Sequence, residues 1–157
     1  MLTTPKSLFL DPILKRLADC LESEMAENFL AILLDVMRLV FLIDSDFRRN
    51  IDGFEARYQF RSVDDSITVG VTFHDGRMEV EETLLDQPNI TIIFKDGRAL
   101  MGFLLTPKPD ILGAMLRQEV STSGNLNYLM KFGFMAQRLI LAATGRLSPP
   151  GGARAAG

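Results

Sequence analysis

The sequence has very few cysteine and histidine residues, which are the side chains that form disulfides and most structural zinc sites. It contains one cysteine, Cys20, and one histidine, His74, among 157 residues. A single cysteine excludes a disulfide within the chain, and two possible ligands are too few for a structural zinc site. We therefore predict a protein of a reducing compartment, with no metal and no cofactor.

Long uninterrupted hydrophobic runs are also absent. The most apolar stretch, Asn28 to Ile43, contains Asp35 and Arg38 and is shorter than the roughly 20 residues that span a bilayer. The N-terminal segment carries Lys6 and Asp11 among its apolar residues, unlike the continuous apolar core of a secretory signal. These features predict a cytoplasmic protein without a transmembrane helix.

Motifs of catalysis and nucleotide binding are missing as well. There is no Gly-x-Ser-x-Gly elbow, P-loop, dinucleotide fingerprint or histidine pair. His74 falls at a predicted strand end on the polar face, where it is expected to be merely solvated. We predict no catalytic residues, because an enzyme would have to be built from carboxylates and lysines alone.

Composition indicates one globular domain with a hydrophobic core. The chain is 47% hydrophobic and 24% charged, which is typical of a folded domain. We predict a single domain over residues 1–146 and a disordered tail over 147–157, since the tail is Pro, Gly and Ala without periodicity.

Charge is unevenly distributed along the chain. Residues 1–96 hold 10 Lys and Arg against 18 Asp and Glu, a net charge of −8, and residues 97–157 hold 7 against 2, net +5. This basic excess is too sparse to predict nucleic-acid binding. It could still meet an anionic head group or an acidic partner.

Two helices are predicted within residues 8–43. The first, about 8–20, is amphipathic, with Asp11 as N-cap and Pro12 in the first turn. The second, about 24–43, confines its polar residues to one narrow stripe, so most of its circumference is apolar. Such a helix lies inside the domain, or it meets a second subunit or a membrane, and a homodimer through residues 24–43 is one alternative.

From Phe54 onward, apolar residues no longer recur with the period of a helix. They occupy every second position, which is the period of a strand. Short Asp-containing turns favour an antiparallel meander whose apolar face is covered by helices on one side only. The residues predicted on that face are Phe54, Ala56, Tyr58, Phe60, Ile67, Val69, Val71, Phe73, Met78, Val80, Ile90, Ile92 and Phe94.

Helical periodicity returns after Phe94. Asp96 can cap a helix running to about Leu105, and a second helix is predicted from Pro109 through Gln118. The segment "EVSTSG" predicts a short fifth strand, and a final helix is expected from about Asn125 to Thr144, ended by Gly145.

Each of these three helices carries an interior glycine near a methionine, namely Gly102, Gly113 and Gly133. A glycine inside a helix costs ~1 kcal/mol relative to alanine, so a compensating reason is expected. Either the glycines allow close helix packing, or they leave volume that flexible methionines line as a deformable apolar pocket.

The segments "ITIIFKD", "ALMGFLL" and "PDILGAMLRQEVSTSGNLNYLMKFGFM" together resemble the sterol carrier protein lipid-transfer family. The resemblance covers about Phe54 to Ala143. It implies an α+β fold with a five-stranded mixed, mostly antiparallel sheet and helices on one face, here preceded by two additional N-terminal helices. It also implies a tunnel for a hydrophobic small molecule such as a sterol, fatty acid, acyl-CoA or isoprenoid lipid, and no catalytic residues.

The predicted function is therefore non-enzymatic binding or transfer of a lipid between the sheet and the helices after Phe94. The lining expected from the predicted inner face is Tyr58, Phe60, Val71, Phe73, Phe94, Met101, Leu104, Met115, Leu129, Phe132 and Met135. One alternative is an interaction module whose apolar helix surface recruits a protein and holds no ligand. A further alternative is an enzyme acting on an acyl or isoprenoid substrate.

Phe134 stands apart in the predicted final helix. It shares a stripe with Asn127, Lys131 and Arg138 rather than with the apolar residues of the inner face. Either a bend in the helix or the tail covers it, or it is a surface residue that makes transient contact with an anionic membrane.

Overall fold

Five strands form one mixed sheet that carries helices on one face. The structure, a computed structural model, describes residues 5–22, 26–105, 113 and 116–145. Its elements are α1 (Pro5–Glu22), α2 (Ala26–Ile43), α3 (Ser45–Arg48), a 3-10 turn (Arg49–Ile51), β1 (Ala56–Ser62), β2 (Thr68–His74), β3 (Arg77–Glu81), β4 (Ile90–Phe94), α4 (Gly97–Leu105), β5 (Val120–Gly124) and α5 (Leu126–Ala143).

The strand order is β3-β2-β1-β4-β5. Strands β1, β2 and β3 form the predicted antiparallel hairpins, but β4 pairs in parallel with β1, with Tyr58 opposite Ile90. The mixed, mostly antiparallel sheet is thus confirmed, whereas the simple meander was wrong at β4. A parallel neighbour requires the chain to cross back over the sheet, and residues 82–89 make that crossing.

The crossing segment lies on the outer face of the sheet and buries residues that were expected to be solvated. The Gln59 side chain is buried, and its amide donates to the carbonyls of Val69 and Thr83, both at 3.1 Å. Its Oε1 accepts from the Leu85 N–H at 2.6 Å. A Cβ at Gly70 would collide with the Leu85 side chain. A larger residue at position 70 would therefore have to displace the Leu85 side chain where the segment crosses β2.

The inner face follows the predicted alternation. Tyr58 lies beside Val71 and Ile90, and Val71 lies beside Val80, so one row of apolar side chains crosses four strands. Because successive side chains of a strand point to opposite faces, the period-two pattern identified these inner residues correctly.

Helix α2 is the buried centre of the helical layer. It packs against α1 on one side and against α4 and β3 on others. Phe29, Leu33, Met37 and Val40 are among its fully buried residues. The prediction that this helix lies inside the domain is confirmed.

Helix α1 begins earlier than predicted, and Pro12 lies inside it. Pro5 occupies the first helical position, where the missing N–H costs nothing, whereas Pro12 forgoes a helical hydrogen bond. The expected N-cap at Asp11 was therefore wrong. Burial of Leu10, Leu14 and Leu17 in the core accompanies this longer helix.

A short helical connection that the sequence did not predict joins α2 to the sheet. The Asp44 carboxylate caps α3 by accepting from the N–H groups of Asp46 at 2.9 Å and Phe47 at 3.4 Å. The Phe47 ring stacks on Phe41, with centroids 4.8 Å apart. Arg48 donates to the Phe41 carbonyl at 2.8 Å, so it satisfies an end group of α2.

Helix α4 begins at its predicted cap, and α5 begins and ends close to its predicted bounds, with Asn125 as its N-cap. Asp96 Oδ1 accepts from the Ala99 N–H at 2.8 Å, and Asn125 Oδ1 accepts from the Asn127 N–H at 2.9 Å. Gly145, with φ of 75°, follows α5. Most of the helix predicted from Pro109 to Gln118, and the whole tail 147–157, lie outside the described residues.

None of the helices in the described part of the chain combines the length and the apolar character needed to cross a bilayer.

Candidate functional site

The predicted lipid-binding residues lie together on the inner side of the sheet and on the helices facing it. Ten of the eleven are described, and each is at most 8% exposed. Met115 lies outside the described residues. The structure therefore brings these ten residues into one region, as tightly buried core side chains.

Aromatic rings form the centre of this region. The ring of Phe132 lies 5.6 Å from that of Tyr58 and 5.0 Å from that of Phe60, and Tyr58 lies 5.7 Å from Phe73. The Tyr58 hydroxyl donates to the Tyr128 carbonyl at 2.7 Å. Burial raises the pKa of Tyr58 above its usual value, so its hydroxyl remains a neutral hydrogen-bond donor.

Unfilled volume lies beside this cluster at Gly133. Gly133 is buried in α5, yet a Cβ at this position would meet no atom of the described residues within 4 Å, apart from those of its own helix backbone and its two chain neighbours. A Cβ at Gly102, which is exposed in α4, would likewise meet open space as far as the described residues extend. Among the described residues, no atom packs closely against the Cβ position of either glycine, and at Gly133 the missing side chain leaves open space.

A groove lies between α2 and the β2–β3 side of the sheet. It consists of two depressions of about 380 and 300 Å³ that share Ala31, Val69 and Glu82. Leu30 and Leu34 of α2 line it, together with Ile67, Val69 and Val80 of the sheet. These three residues belong to the apolar inner face but are only partly buried, because α2 packs against β3 without covering them completely.

Charged side chains border the groove. Asp35 accepts from Arg16 at 2.9 Å and from Arg38 at 3.2 Å. Asp35 and Arg38 line the smaller depression, and Glu82 lines both. The groove thus has an apolar floor and a charged rim, an arrangement suited to an amphiphile.

A third depression, of about 490 Å³, lies between the segment before β1 and the start of α5. Phe54 and Tyr128 line it, with ring centroids 6.0 Å apart, and the Lys131 ammonium lies 4.5 Å from the Phe54 centroid. Phe54 also lies 5.5 Å from Phe73. The aromatic core therefore reaches the surface here.

Known proteins similar to this chain are found among solved structures. No family model matches the chain, and no curated protein matches it. Among solved structures, the sterol carrier protein domain 2 of Helicoverpa armigera is similar at 11% identity and a TM-score of 0.53. That match covers 78% of this chain and 92% of the other. This protein has the sterol carrier protein fold.

Two further solved structures are similar to part of this chain. One is the inverting sec-alkylsulfatase Pisa1 from Pseudomonas sp., at 13% identity and a TM-score of 0.54, covering 66% of this chain. The chain spans only 16% of Pisa1. The other is a UbiJ-SCP2 ubiquinone synthesis protein, at 13% identity and a TM-score of 0.47, with 59% of this chain and 73% of that one covered. At these identities the comparisons establish the fold alone.

Within the sterol carrier protein fold, the sequence prediction missed the groove. Leu30, Leu34, Val69 and Val80 were absent from the predicted lining, which was placed under the helices after Phe94. Their apolar character was visible in the sequence. Their partial exposure was not, because it depends on how far α2 extends over the sheet.

His74 is exposed, but it is not merely solvated as predicted. Its Nδ1 lies 2.5 Å from Glu55 Oε1, and its Nε2 lies 3.0 Å from Asp75 Oδ2. Hydrogen bonding to Glu55 raises the pKa of His74, and the same bond lowers the pKa of Glu55. The three side chains have ligand atoms within 4.8 Å of one another and could hold a metal ion. Their mutual ion pairing already explains the arrangement.

Proposed function

We propose that this protein binds a hydrophobic small molecule and transfers it without chemically changing it. The aliphatic part of the molecule lies on the inner face of the sheet, with access through the groove between α2 and the β2–β3 edge. The sterol carrier protein fold supports a lipid-binding role in general. The apolar lining suits a sterol, fatty acid, acyl-CoA or isoprenoid alike, because dispersion contacts hardly distinguish them.

The partial exposure of the inner sheet face carries this proposal. Ile67, Val69 and Val80 are apolar, lie on the core side of the sheet, and still reach the groove. Exposed apolar surface in a concave site favours a ligand because covering it removes that surface from water. The groove volumes, about 380 and 300 Å³, fall near the lower end of typical ligand sites.

The deeper lining predicted from the sequence remains part of the proposal. Phe132, Leu129 and Met135 are buried, so a ligand reaches them only if their side chains move. Met101 and Met135 are suited to this because methionine is flexible. The volume at Gly133 gives neighbouring side chains space into which they can move.

The alternative of an interaction module without a ligand is less well supported. It relied on the apolar surface of helix 24–43, but that surface is used inside the domain against α1, α4 and β3. Leu42 is the exposed large apolar residue of α2 among the described side chains. A homodimer through this helix therefore lacks the apolar surface on which it was predicted, and it forms no part of the proposal.

The test fills the groove without disturbing the core. Ala31 is exposed on α2 and lines both depressions, so Ala31→Phe should obstruct the groove while the protein stays folded. Asn28→Phe adds the same ring one turn earlier, at an exposed position outside the groove lining. Binding would be measured with a fluorescent fatty acid, and co-purified lipid by native mass spectrometry.

We expect the native protein and Asn28→Phe to retain a lipid mass and bind the probe, and Ala31→Phe to lose most of both. Equal binding by Ala31→Phe would contradict access through the groove. The absence of any retained or added lipid on the native protein would contradict the binding function itself.

A further inference from the structure

The outer side of α5 exposes a row of large apolar side chains. Leu126, Met130 and Phe134 recur at intervals of four residues, so they lie on one side of the helix. They are 42%, 56% and 54% exposed. The buried residues Leu129, Phe132 and Met135 occupy the opposite side and belong to the core. The exposed row is therefore additional to what the fold needs.

Positive charge borders this row. Lys131 and Arg138 are the charged residues of α5, and the helix contains no Asp or Glu. The Arg138 guanidinium lies over the Phe134 ring, 5.8 Å from its centroid. Among the described residues, neither Lys131 nor Arg138 forms an ion pair with a carboxylate. Lys131 contacts the Phe54 ring and Arg138 the Phe134 ring, so the described carboxylates leave both positive charges uncompensated.

We propose that the outer side of α5, formed by Leu126, Met130 and Phe134 with Lys131 and Arg138, docks on an anionic lipid bilayer. An apolar stripe flanked by basic residues is the pattern of helices that lie in the membrane interface. The apolar side chains would enter the acyl boundary, and the two cations would contact anionic head groups.

A second copy of the chain fits this surface less well. In a symmetric dimer the same patch faces itself, so Lys131 and Arg138 of one copy would approach the same basic patch on the other. Because α5 has no acidic residue, no carboxylate of the helix would compensate them. An anionic bilayer satisfies both the apolar row and the charges.

The experiment uses the full chain and vesicles of phosphatidylcholine with and without phosphatidylglycerol. The chain has no tryptophan, so Phe134→Trp provides a single fluorescent reporter at the proposed contact. We expect its emission to shift to the blue on anionic vesicles and to be quenched by brominated lipid. The shift should weaken in high salt, since exposed charges are screened.

Co-sedimentation with the same vesicles tests the individual residues. Phe134→Ser should weaken binding to anionic vesicles by about tenfold or more, as expected for losing a buried phenylalanine ring. Lys131→Gln should weaken it roughly fivefold. Leu84→Ser is the matched control, because Leu84 is 61% exposed but lies in the segment that crosses the outer face of the sheet, away from the helices.

Three results would overturn the docking proposal. They are equal binding by Phe134→Ser and the native protein, an equal loss in Leu84→Ser, and a dimer in sedimentation without lipid that Phe134→Ser dissociates. Vesicle docking does not require a lipid inside the protein. It can therefore hold if the proposed binding function fails, and it can fail if that function holds.

Discussion

Replacing Gly133 by alanine should stabilise the protein. Gly133 is buried in α5, and a methyl group there would contact no neighbouring element within the described part of the chain. Alanine is favoured over glycine in a helix interior by ~1 kcal/mol, and burying one methyl-sized group adds roughly 0.8 kcal/mol. The free energy of unfolding should thus rise by about 1 to 2 kcal/mol, which corresponds to about 3–6 °C in melting temperature.

Gly102→Ala separates the two contributions. A Cβ at Gly102 also meets open space, but this residue is exposed in α4. Its replacement should give the helix-propensity gain of ~1 kcal/mol without the burial gain. Both variants would be compared with the native protein by urea unfolding followed by circular dichroism.

A lower stability of Gly133→Ala would refute the reasoning, because it would mean that the space at Gly133 is already filled. A gain no larger than that of Gly102→Ala would refute the buried volume specifically. If that volume also lets side chains move for a ligand, Gly133→Ala should retain less lipid in native mass spectrometry while being more stable.

Two further predictions concern other parts of the fold. Gly124→Ala should lower the free energy of unfolding by about 1–3 kcal/mol, because Gly124 has φ of 122° and a Cβ there would collide with Asn89. Urea unfolding measures the change, and an unchanged midpoint would contradict this prediction. The Glu55–His74 pair should stabilise the folded protein most between pH 4.5 and 6.5, which are the ordinary pKa values of Glu and His. This stabilisation should fade above that range as His74 loses its proton, and below it as Glu55 gains one. Urea midpoints of native protein and His74→Gln across pH should differ most within that window; a constant difference would contradict it.

The inner face of the sheet was predictable because it depends on a local rule. Alternation along "FEARYQF" places Tyr58 and Phe60 on one side whichever strands lie beside them. The pairing of β4 with β1 was not predictable in this way. Tyr58 and Ile90 are 90 − 58 = 32 residues apart, and the short turns of the β1–β3 hairpins carry no information about that contact.

Gln59 shows how the same rule fails. Its alternation predicts a solvated side chain, but the crossing segment covers it and supplies two of its three hydrogen-bond partners, Thr83 and Leu85, while Val69 of β2 supplies the third. The groove has a similar origin. Val69 and Val80 differ from the fully buried Val71 in how far α2 covers them. The periodicity of the strand residues does not depend on where the helix lies, so it could not predict this difference.

The central position of β1 has a consequence for synthesis of the chain. Strands β1 to β3 can pair as soon as they leave the ribosome, but the other edge of β1 stays open until residues 90–94 follow. During that interval an apolar strand has unpaired backbone groups and can add a strand from another molecule. The nascent chain is therefore most prone to aggregate after β3 has formed and before β4 arrives, and β5 then protects β4 in the same way.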